Sequence, residues 1–372
     1  MDGLHDIPPL ARARKGRGAI SSPPCRYDRV VPVAVDDGWG TVEGELCEPA
    51  PLKTVLTRDS SRTVIAWNES PDLGFDRAVN PYRGCEHGCI YCYARPSHAW
   101  LGLSPGLDFE TKLLFKPDAP ALLARELARP GYVPRPIALG SNTDPYQPVE
   151  RRLGLTRAIL EVLLEARHPC TIVTKSALVL RDLALLSEMA RLHLVRVHLS
   201  LTTLDRRLAR LMEPRAASPS RRLQAIAALA AAGVPVGVLA APMIPGLNDA
   251  ELEAILDAAS SAGATSAAYV LLRLPNELGE LFTEWLKAHY PDRAARVLAL
   301  IRQTRAGRLN DPQFGTRFSG QGPYAATLAR RFEVATKRLG LAGPDRRHDL
   351  DCSAFTPPRR VAPARNGQLA LV

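Results

Sequence analysis

Three cysteines within eight positions are the residues of this sequence best suited to chemistry. Cys85, Cys89 and Cys92 have a C-x3-C-x2-C spacing, and Gly84 and Gly88 indicate an exposed turn rather than a core strand. Thiolates on one loop can reach a common metal centre. Disulfide frameworks are typical of short secreted chains, whereas this chain has 372 residues and seven cysteines. The spacing therefore predicts a metal site.

Two kinds of metal fit this spacing to different degrees. A structural zinc site needs four ligands, and since the sequence has no second cysteine pair, His87 or His98 would have to complete a Cys3His set. Three cysteines alone suit a [4Fe–4S] cluster with one iron that has no protein ligand, because such clusters usually take four thiolates. An open iron can hold a substrate or cofactor. The spacing favours the cluster and leaves zinc open.

Regularly spaced strands would position this loop. Runs rich in β-forming residues occur at 137–140, 171–174, 195–201, 234–240 and 268–274, and each precedes a turn and a helical stretch. With a first strand before residue 85 the count is about six. Strands that alternate with helices form right-handed βαβ units and a parallel sheet. Six such units predict an open or partial barrel.

Polar residues follow four of these runs. They occupy 140–146, 174–176, 198–203 and 242–249, and Asn248 with Glu251 resembles a capping box for the helix that follows. Loops and caps favour such residues in general. However, the carboxyl ends of parallel strands share one edge, where ligands bind in α/β folds. The pattern therefore predicts a binding rim beside the cysteines.

The cysteine motif resembles a known superfamily. C-x3-C-x-aromatic-C, with Tyr91 as the aromatic residue, follows a first strand and precedes βα repeats, as in the radical S-adenosylmethionine (SAM) superfamily. The runs NPYRGC at 80–85 and TDPYQP at 143–148 are similar to its spore photoproduct lyase-like branch, often labelled DNA repair photolyase. The resemblance covers residues 72–275 well and residues 276–342 loosely.

This resemblance implies a fold, two cofactors and a reaction. The fold would be α/β, a partial (βα)6 TIM-like barrel of the radical SAM type. A [4Fe–4S] cluster would be held by Cys85, Cys89 and Cys92, with SAM on the fourth iron. Reductive cleavage of SAM would then give a 5′-deoxyadenosyl radical that abstracts hydrogen from an unidentified substrate.

The resemblance also implies SAM-binding residues. The stretch 140–142 takes the place of a Gly-Gly-Glu-type motif for the amino group; because the Glu is missing, either Asp144 or backbone carbonyls would replace it. Ser200 and Thr202 would meet the ribose or carboxylate, while Tyr91 and Gly246 would lie beside the adenine. The implied SAM-binding set is Tyr91, Gly140, Ser141, Asn142, Asp144, Ser200, Thr202 and Gly246.

Basic residues are concentrated at the chain ends. The net charge is +10, of which residues 1–30 contribute +3 and residues 301–372 contribute +8, and 41 of the 48 basic residues are arginine. A helix predicted over 324–339 would present Arg330, Arg331 and Arg338 outward. This pattern suits nucleic acid or another polyanion as partner, and equally a solvated basic face.

Composition also divides the chain into segments. We predict a disordered basic arm over 1–30, a lead-in over 31–71 with strands at 30–35 and 64–67, the core barrel over 72–275, a helical extension over 276–342 and a flexible basic tail over 343–372. Since the sequence has neither a membrane-span pattern nor a secretory signal, we expect a cytoplasmic protein.

Two classes of function follow. The first is a radical SAM enzyme that receives electrons from a low-potential donor of the flavodoxin or ferredoxin type and acts on an unidentified substrate, with nucleic acid as one candidate. The alternative is a non-catalytic, metal-bearing nucleic-acid-binding protein. Lesion repair of the lyase kind commonly uses a protein cysteine to return a hydrogen atom, for which only Cys170 and Cys352 are candidates. No catalytic residue is otherwise indicated.

Overall fold

A seven-stranded sheet forms the centre of the protein. The computed structural model describes residues 14–28, 52–343 and 350–358. The strand order is β10-β9-β8-β7-β6-β3-β2, and every neighbouring pair is parallel except β2 and β3. The strands are β2 Ile65–Trp67, β3 Arg77–Val79, β6 Ile137–Leu139, β7 Cys170–Thr174, β8 Val195–Ser200, β9 Val236–Met243 and β10 Ser266–Leu271.

The six parallel strands confirm the predicted partial (βα)6 barrel. Strands match the predicted runs, including the short strand predicted over 64–67, while the run at 30–35 lies outside the described residues. β9 continues to Met243, three residues beyond its predicted end. β10 ends early, at Leu271, after a register shift between Tyr269 and Leu271. The predicted segment boundaries remain predictions.

A second, smaller sheet flanks the barrel. Its strands run in the order β1-β5-β4, with β1 Val55–Arg58 parallel to β5 Lys112–Phe115 and β4 Tyr82–Arg83 antiparallel to β5. β4 lies directly before the three cysteines, so this sheet anchors the start of their loop.

Amphipathic helices cover the parallel strands. In α7, Pro219–Ala231, Leu223 and Ala230 pack against the main core as partly buried residues, beside the fully buried Ile226. The strands contribute buried apolar side chains to the same core, among them Cys170 and Ile172 of β7. None of the helices among the described residues combines the length and apolar composition of a membrane span. The helices around the sheet are α1 Asp108–Thr111, α2 Ala119–Leu127, α3 Glu150–Leu153, α4 Leu155–Glu165, α5 Leu183–Arg191, α6 Arg206–Met212, α7 Pro219–Ala231 and α8 Leu252–Ser261.

Three helices follow the barrel. They are α9 Leu278–His289, α10 Pro291–Gln303 and α11 Gly322–Leu339. α11 matches the helix predicted over 324–339, with Leu328 and Ala335 on its buried side. Its arginines are paired rather than free: Arg330 with Glu333, Arg331 with Glu253 and Arg338 with Asp257.

Parts of the two predicted arms, residues 14–28 and 350–358, contact the barrel. Residues 14–28, here called the N-terminal strap, bury Ala19, Ile20 and Cys25. Residues 350–358 close the opposite end of the barrel, where the Thr356 N–H donates to the Ala166 carbonyl. Both segments are rich in polar residues and proline, so their composition did not predict these contacts.

The predicted capping box at Asn248 is also wrong. Its amide donates to the carbonyls of Thr202 and Pro242, and its side-chain oxygen accepts from the Ile244 N–H. Glu251 accepts from the Thr203 hydroxyl, 48 residues earlier. The two side chains tie the ends of neighbouring strands together instead of capping a helix.

Candidate active site

The three cysteines lie on a buried loop at the carboxyl ends of the strands. We call residues 84–94 the cysteine loop. All three thiols are free; Cys85 and Cys89 are buried and Cys92 is partly buried. Burial and the Asp144 charge raise the pKa of Cys85, and burial raises the pKa of Cys89 to about 12. A bound cationic metal centre would lower the pKa of both thiols again, because it stabilises thiolates.

Glycines give the cysteine loop its tight path. Gly84 and Gly88 have φ of +78° and +67°, which side-chain-bearing residues rarely adopt. A Cβ on Gly84 would lie 2.8 Å from the Phe109 carbonyl oxygen. A Cβ on Gly88 would lie 2.7 Å from the Glu110 carboxylate. Close packing thus requires these glycines, and the turn lies where it is predicted. The expected exposure of this turn is wrong, because residues 84–91 are buried.

A buried ion pair connects the cysteine loop to the N-terminal strap. Arg95 and Glu110 are both fully buried and form a salt bridge. The Arg95 Nε–H donates to the Cys89 carbonyl over 2.9 Å. Glu110 accepts from the backbone N–H groups of Gly18 and Ala19 at 3.0 and 2.8 Å. The strap therefore contributes to the position of Cys89.

A second buried network surrounds Tyr91. Its hydroxyl donates to Glu213, which also accepts from the Thr202 hydroxyl and pairs with Arg222. Although burial opposes ionisation of Glu213, Arg222 and Lys175 lower its pKa. Tyr91 and Thr202 therefore share one buried protein network, and their contacts with SAM remain a prediction.

Lys175 was not among the predicted site residues, although its stretch belongs to the predicted rim. Its ammonium lies 5.7 Å from the centroid of the Tyr91 ring. Burial opposes its charge, but Cys89 and Glu213 raise its pKa. Among the described residues its ammonium has no hydrogen bond or ion-pair partner. The sequence signal for Lys175 was its position directly after the run at 171–174, in the predicted binding rim.

Asp144 is held by the protein on both carboxylate oxygens. It accepts from the Tyr146 N–H, the Thr174 hydroxyl and the Lys175 N–H, and its Oδ2 lies 3.3 Å from His87 Nδ1. Burial opposes its ionisation, but His87 and these donors lower its pKa to about 2. A carboxylate has about four acceptor positions. Asp144 thus links three loops through these contacts, and its substitution for the missing Glu remains a prediction.

The stretch 140–142 lies where the rim was predicted. Gly140 has φ of +89°, and a Cβ there would lie 2.2 Å from the Val173 carbonyl oxygen, so the strand crossing requires glycine. The Asn142 N–H donates to the side chain of Asn80, and the Ser141 hydroxyl accepts from the same side chain. This stretch is tied to the residues that precede the cysteine loop.

Ser200 and Gly246 occupy different surroundings. Ser200 is buried at the end of β8, and its hydroxyl donates to the Ala241 carbonyl. Gly246 lies beside α10, where a Cβ would meet Leu300 at 2.9 Å. The structure therefore keeps Ser200 at the rim and places Gly246 in packing with the helical extension.

A cavity of about 790 Å³ occupies the inside of the open barrel. Its lining includes Ser141 at the rim, His198 of β8 and Cys352 of the segment 350–358. Burial lowers the pKa of His198 to about 4. Cys170 is fully buried in the core and is not part of this lining. Of the two cysteines considered for hydrogen return, only Cys352 reaches the cavity.

Arginine and aromatic side chains alternate at the rim beside Cys92. The Arg273 guanidinium lies 4.8 Å from the Tyr93 ring and 5.3 Å from the Phe318 ring, and Arg317 lies 4.7 Å from Phe318 and 4.9 Å from Phe314. Tyr93 is 46% exposed and Phe314 is 59% exposed. The Tyr93 hydroxyl donates to the Ser141 carbonyl. We call these five residues the arginine–aromatic ladder.

The two arginines of the ladder differ in pairing. Arg317 makes a two-point ion pair with Asp72, at 2.5 and 2.8 Å. Arg273 contacts rings only, with no acidic partner among the described residues. Burial lowers the pKa of Arg273. A partly buried guanidinium without an anion is costly, so the Arg273 side chain is suited to an anionic ligand.

Zinc ligation by histidine has little support in this geometry. His98 Nε2 hydrogen bonds with the Lys112 carbonyl over 2.9 Å, and His87 faces Asp144. Within residues 14–28, 52–343 and 350–358 no group of three or more His, Cys, Asp or Glu side chains is arranged around one metal ion. A single ion needs all ligands around one point, whereas each cysteine of a cluster binds a different iron.

Comparisons with known proteins agree with the fold and the motif. The family model of the radical SAM superfamily matches residues 79–259. An uncharacterized protein of Mycobacterium tuberculosis is 39% identical over 243 residues, 64% of this chain and 72% of the relative. An uncharacterized protein of Methanocaldococcus jannaschii is 30% identical over 178 residues, 48% of this chain and 64% of that protein.

A solved structure has a similar fold. Spore photoproduct lyase complexed with dinucleoside spore photoproduct superimposes with a TM-score of 0.55, at 16% identity over 78% of this chain and 81% of that chain. The chain belongs to the radical SAM superfamily, and it is an enzyme. The family uses a [4Fe–4S] cluster and SAM, so the non-catalytic and zinc alternatives are set aside.

Proposed function

We propose that Cys85, Cys89 and Cys92 hold the cluster and that Ser141, Asn142, Lys175 and Ser200 face the bound SAM. The observation that carries this proposal is the meeting of three free thiols with the polar ends of β6, β7 and β8 at one edge of the barrel. When bound, the two cofactors supply reductive cleavage of the sulfonium and a 5′-deoxyadenosyl radical that abstracts hydrogen.

The remaining predicted residues would position these groups. Asp144 holds the Lys175 backbone and His87, while Glu213 holds Tyr91 and Thr202. Gly140 and Gly246 would serve packing. Lys175, a partly buried lysine whose ammonium has no ion-pair partner among the described residues, suits the SAM carboxylate. Its charge would compensate that carboxylate away from water.

The substrate is proposed to carry a nucleobase and a phosphate. Exposed ring faces at Tyr93 and Phe314 suit stacking on bases, and Arg273 suits a phosphate. The solved structure of spore photoproduct lyase contains a dinucleoside spore photoproduct, which supports this class of substrate. The ladder lies beside Cys92 and Ser141, so a base bound there would lie near the proposed SAM site.

The first test concerns SAM cleavage. After anaerobic cluster reconstitution and reduction, chromatography should detect 5′-deoxyadenosine from the wild type. Lys175→Met should slow its formation more than Lys287→Met, an exposed lysine of α9. No 5′-deoxyadenosine from the wild type, with or without cell extract, would overturn the proposed reaction.

The second test concerns the substrate class. Fluorescence anisotropy with single-stranded DNA and RNA should show weaker binding for Phe314→Ala, by about tenfold, because one base stack contributes about 1–3 kcal/mol. Arg273→Gln should also weaken binding. The matched control is Arg330→Gln/Arg331→Gln/Arg338→Gln on α11, where the arginines are already paired. If only this control loses binding, the interface lies on α11 instead.

A further inference from the structure

One face of α6 carries exposed arginines without partners. Arg206, Arg207 and Arg210 are exposed, and no side chain among the described residues pairs with them. The helix begins at Asp205, whose carboxylate accepts from backbone N–H groups of the first turn. Arg221 of α7 is exposed as well. We call Arg206, Arg207 and Arg210 the α6 arginine face.

This face lies on the outer side of the cysteine loop. The Ile90 N–H donates to the Met212 carbonyl at the end of α6 over 3.0 Å, and the Arg215 N–H donates to the His87 carbonyl over 3.3 Å. A cavity of about 510 Å³ beside α6 is lined by its arginines and reaches Glu213, which accepts a hydrogen bond from Tyr91. The C-terminal end of α6 thus contacts the cysteine loop, and the arginines of α6 line the cavity that reaches Glu213.

Other parts of the chain cover the cysteine loop elsewhere. Ala19 and Ile20 of the strap share an apolar cluster with Ile90, and Trp285 of α9 belongs to the same cluster. The Trp285 indole N–H donates to the Leu211 carbonyl of α6 over 3.1 Å. α6, the strap and α9 therefore pack around the cysteine loop together. The strap and α9 contribute apolar side chains to this packing, whereas α6 also carries exposed arginines.

We propose that the α6 arginine face docks an acidic one-electron carrier protein of the flavodoxin or ferredoxin class. The proposal rests on the proposed function, because the cluster on the cysteine loop is the acceptor. One electron would leave the carrier, which is oxidised, and reach the cluster, which is reduced; no covalent bond forms or breaks in this step. The carrier itself supplies the reductant.

Charge is the physical reason for this choice of partner. Complementary charge accelerates encounter and aligns two proteins without a large buried area. Redox partners typically form small, short-lived interfaces, which an exposed charged face suits better than an apolar groove does. The three arginines have no internal partner to displace, so their full charge is available to an acidic surface.

Nucleic acid is the competing polyanion for this face. Single-strand binding combines basic groups with aromatic side chains on which bases stack. The sequence of α6, RRLARLM, contains no aromatic residue, whereas the arginine–aromatic ladder has three. The cavity beside α6 and the cavity inside the barrel share no lining residue. The observations therefore favour a protein carrier at α6 and the substrate at the ladder.

The test uses the full chain and oxidised flavodoxin as the probe. Arg206→Glu/Arg210→Glu is compared with Arg129→Glu/Arg191→Glu, a double variant of exposed arginines near the ends of α2 and α5 that changes the net charge equally. Calorimetry at low salt should show flavodoxin binding weakened about tenfold by the α6 variant and unchanged by the control. Arg206→Gln/Arg210→Gln should give an intermediate loss.

A kinetic measurement complements binding. Reduction of the reconstituted cluster by reduced flavodoxin, followed by absorbance, should slow about tenfold in the α6 variant and show a steep salt dependence in the wild type. Reduction by dithionite, a small reductant, should be equal in wild type, variant and control. Equal dithionite rates show that the variant retains its fold and cluster.

Three outcomes would overturn the proposal. They are unchanged flavodoxin binding in the α6 variant, an equal loss in the control, and a loss of oligonucleotide binding in the α6 variant while flavodoxin binding persists. Failure of the proposed function is distinguished separately, because binding of oxidised flavodoxin is measured without SAM cleavage. Absence of iron or of 5′-deoxyadenosine would contradict the proposed function. Flavodoxin binding by the variant and the control could still be compared.

Discussion

Ion pairs lie both beside the cysteine loop and on helix α11, but these pairs differ in burial. Around the loop, Arg95 and Glu110 are fully buried and hydrogen bonded to backbone groups. On α11, Arg331 and Glu253 are each about a third exposed. Removing one partner of a buried pair leaves an uncompensated charge, whereas exposed pairs contribute little. Basic content alone therefore indicates neither stability nor a binding surface.

The largest expected effect comes from breaking the buried pair. Glu110→Gln leaves Arg95 buried without a counter-charge and weakens the acceptor for the strap. We expect the free energy of unfolding to fall by about 3–5 kcal/mol, measured by urea denaturation. Glu284→Gln is the control, because Glu284 contacts Ser21 of the same strap at an exposed position. Equal losses in both variants would contradict the contrast between buried and exposed groups.

Acidification should affect the partly buried His198 differently from an exposed histidine. Burial lowers the pKa of His198 to about 4, so below its ordinary pKa of about 6.5 the unfolded chain binds a proton that the folded chain does not. The free energy of unfolding should therefore fall between pH 6.5 and pH 4, by up to about 3 kcal/mol from this residue.

The pH measurement has an internal comparison. Denaturation across this range should be flatter for His198→Asn than for the wild type. Replacement of the exposed His193 by asparagine should leave the wild-type profile unchanged. A His198→Asn profile as steep as that of the wild type would show that other groups cause the acid loss.

A single methyl group tests the contact between strap and loop. A Cβ on Gly18 would lie 1.8 Å from the Gly88 carbonyl oxygen, so Gly18→Ala must displace backbone. We expect a loss of about 1–3 kcal/mol and faster iron release to a chelator from reconstituted protein. At Gly343 an added Cβ meets nothing within 4 Å, so Gly343→Ala should retain iron like the wild type. Unchanged iron release in Gly18→Ala would show that the strap does not hold the cysteine loop in position.

The smallest effect is expected on α11. Arg331→Gln breaks its ion pair with Glu253, and we expect at most about 1 kcal/mol of change in urea denaturation. Leu328→Ala, which removes a buried side chain of the same helix, should cost about 2–5 kcal/mol and verifies that the assay detects damage to α11. If Arg331→Gln lowered the free energy of unfolding by several kcal/mol, the exposed ion pair of α11 would contribute as much as the buried pair beside the cysteine loop, which would contradict the comparison.

The sequence predicted what depends on local spacing. The C-x3-C-x2-C motif, the strand runs and the helix ending at Leu339 are periodic or short-range patterns, and the structure contains them in those places. The rim at 140–146 and 174–176 followed from the rule that parallel strands end together. These features need no knowledge of distant partners.

Hydrogen bonds between residues far apart in the sequence could not be predicted. Glu110 meets Gly18 and Ala19 across about ninety residues, and Glu213 meets Tyr91 across more than a hundred. Nothing in the spacing of these residues indicates the contact. For the same reason the contacts of the Asp144 carboxylate with three protein donors and His87 were not predicted.

The cluster assignment is tested most directly by the metal content of anaerobically reconstituted protein and by its electron paramagnetic resonance spectrum after reduction. We expect about four irons per chain, a reduced-cluster signal that changes when SAM is added, and loss of both iron and signal in Cys89→Ala but not in Cys170→Ala. Stoichiometric zinc without iron in protein purified without oxygen, or full iron retention in Cys89→Ala, would contradict it.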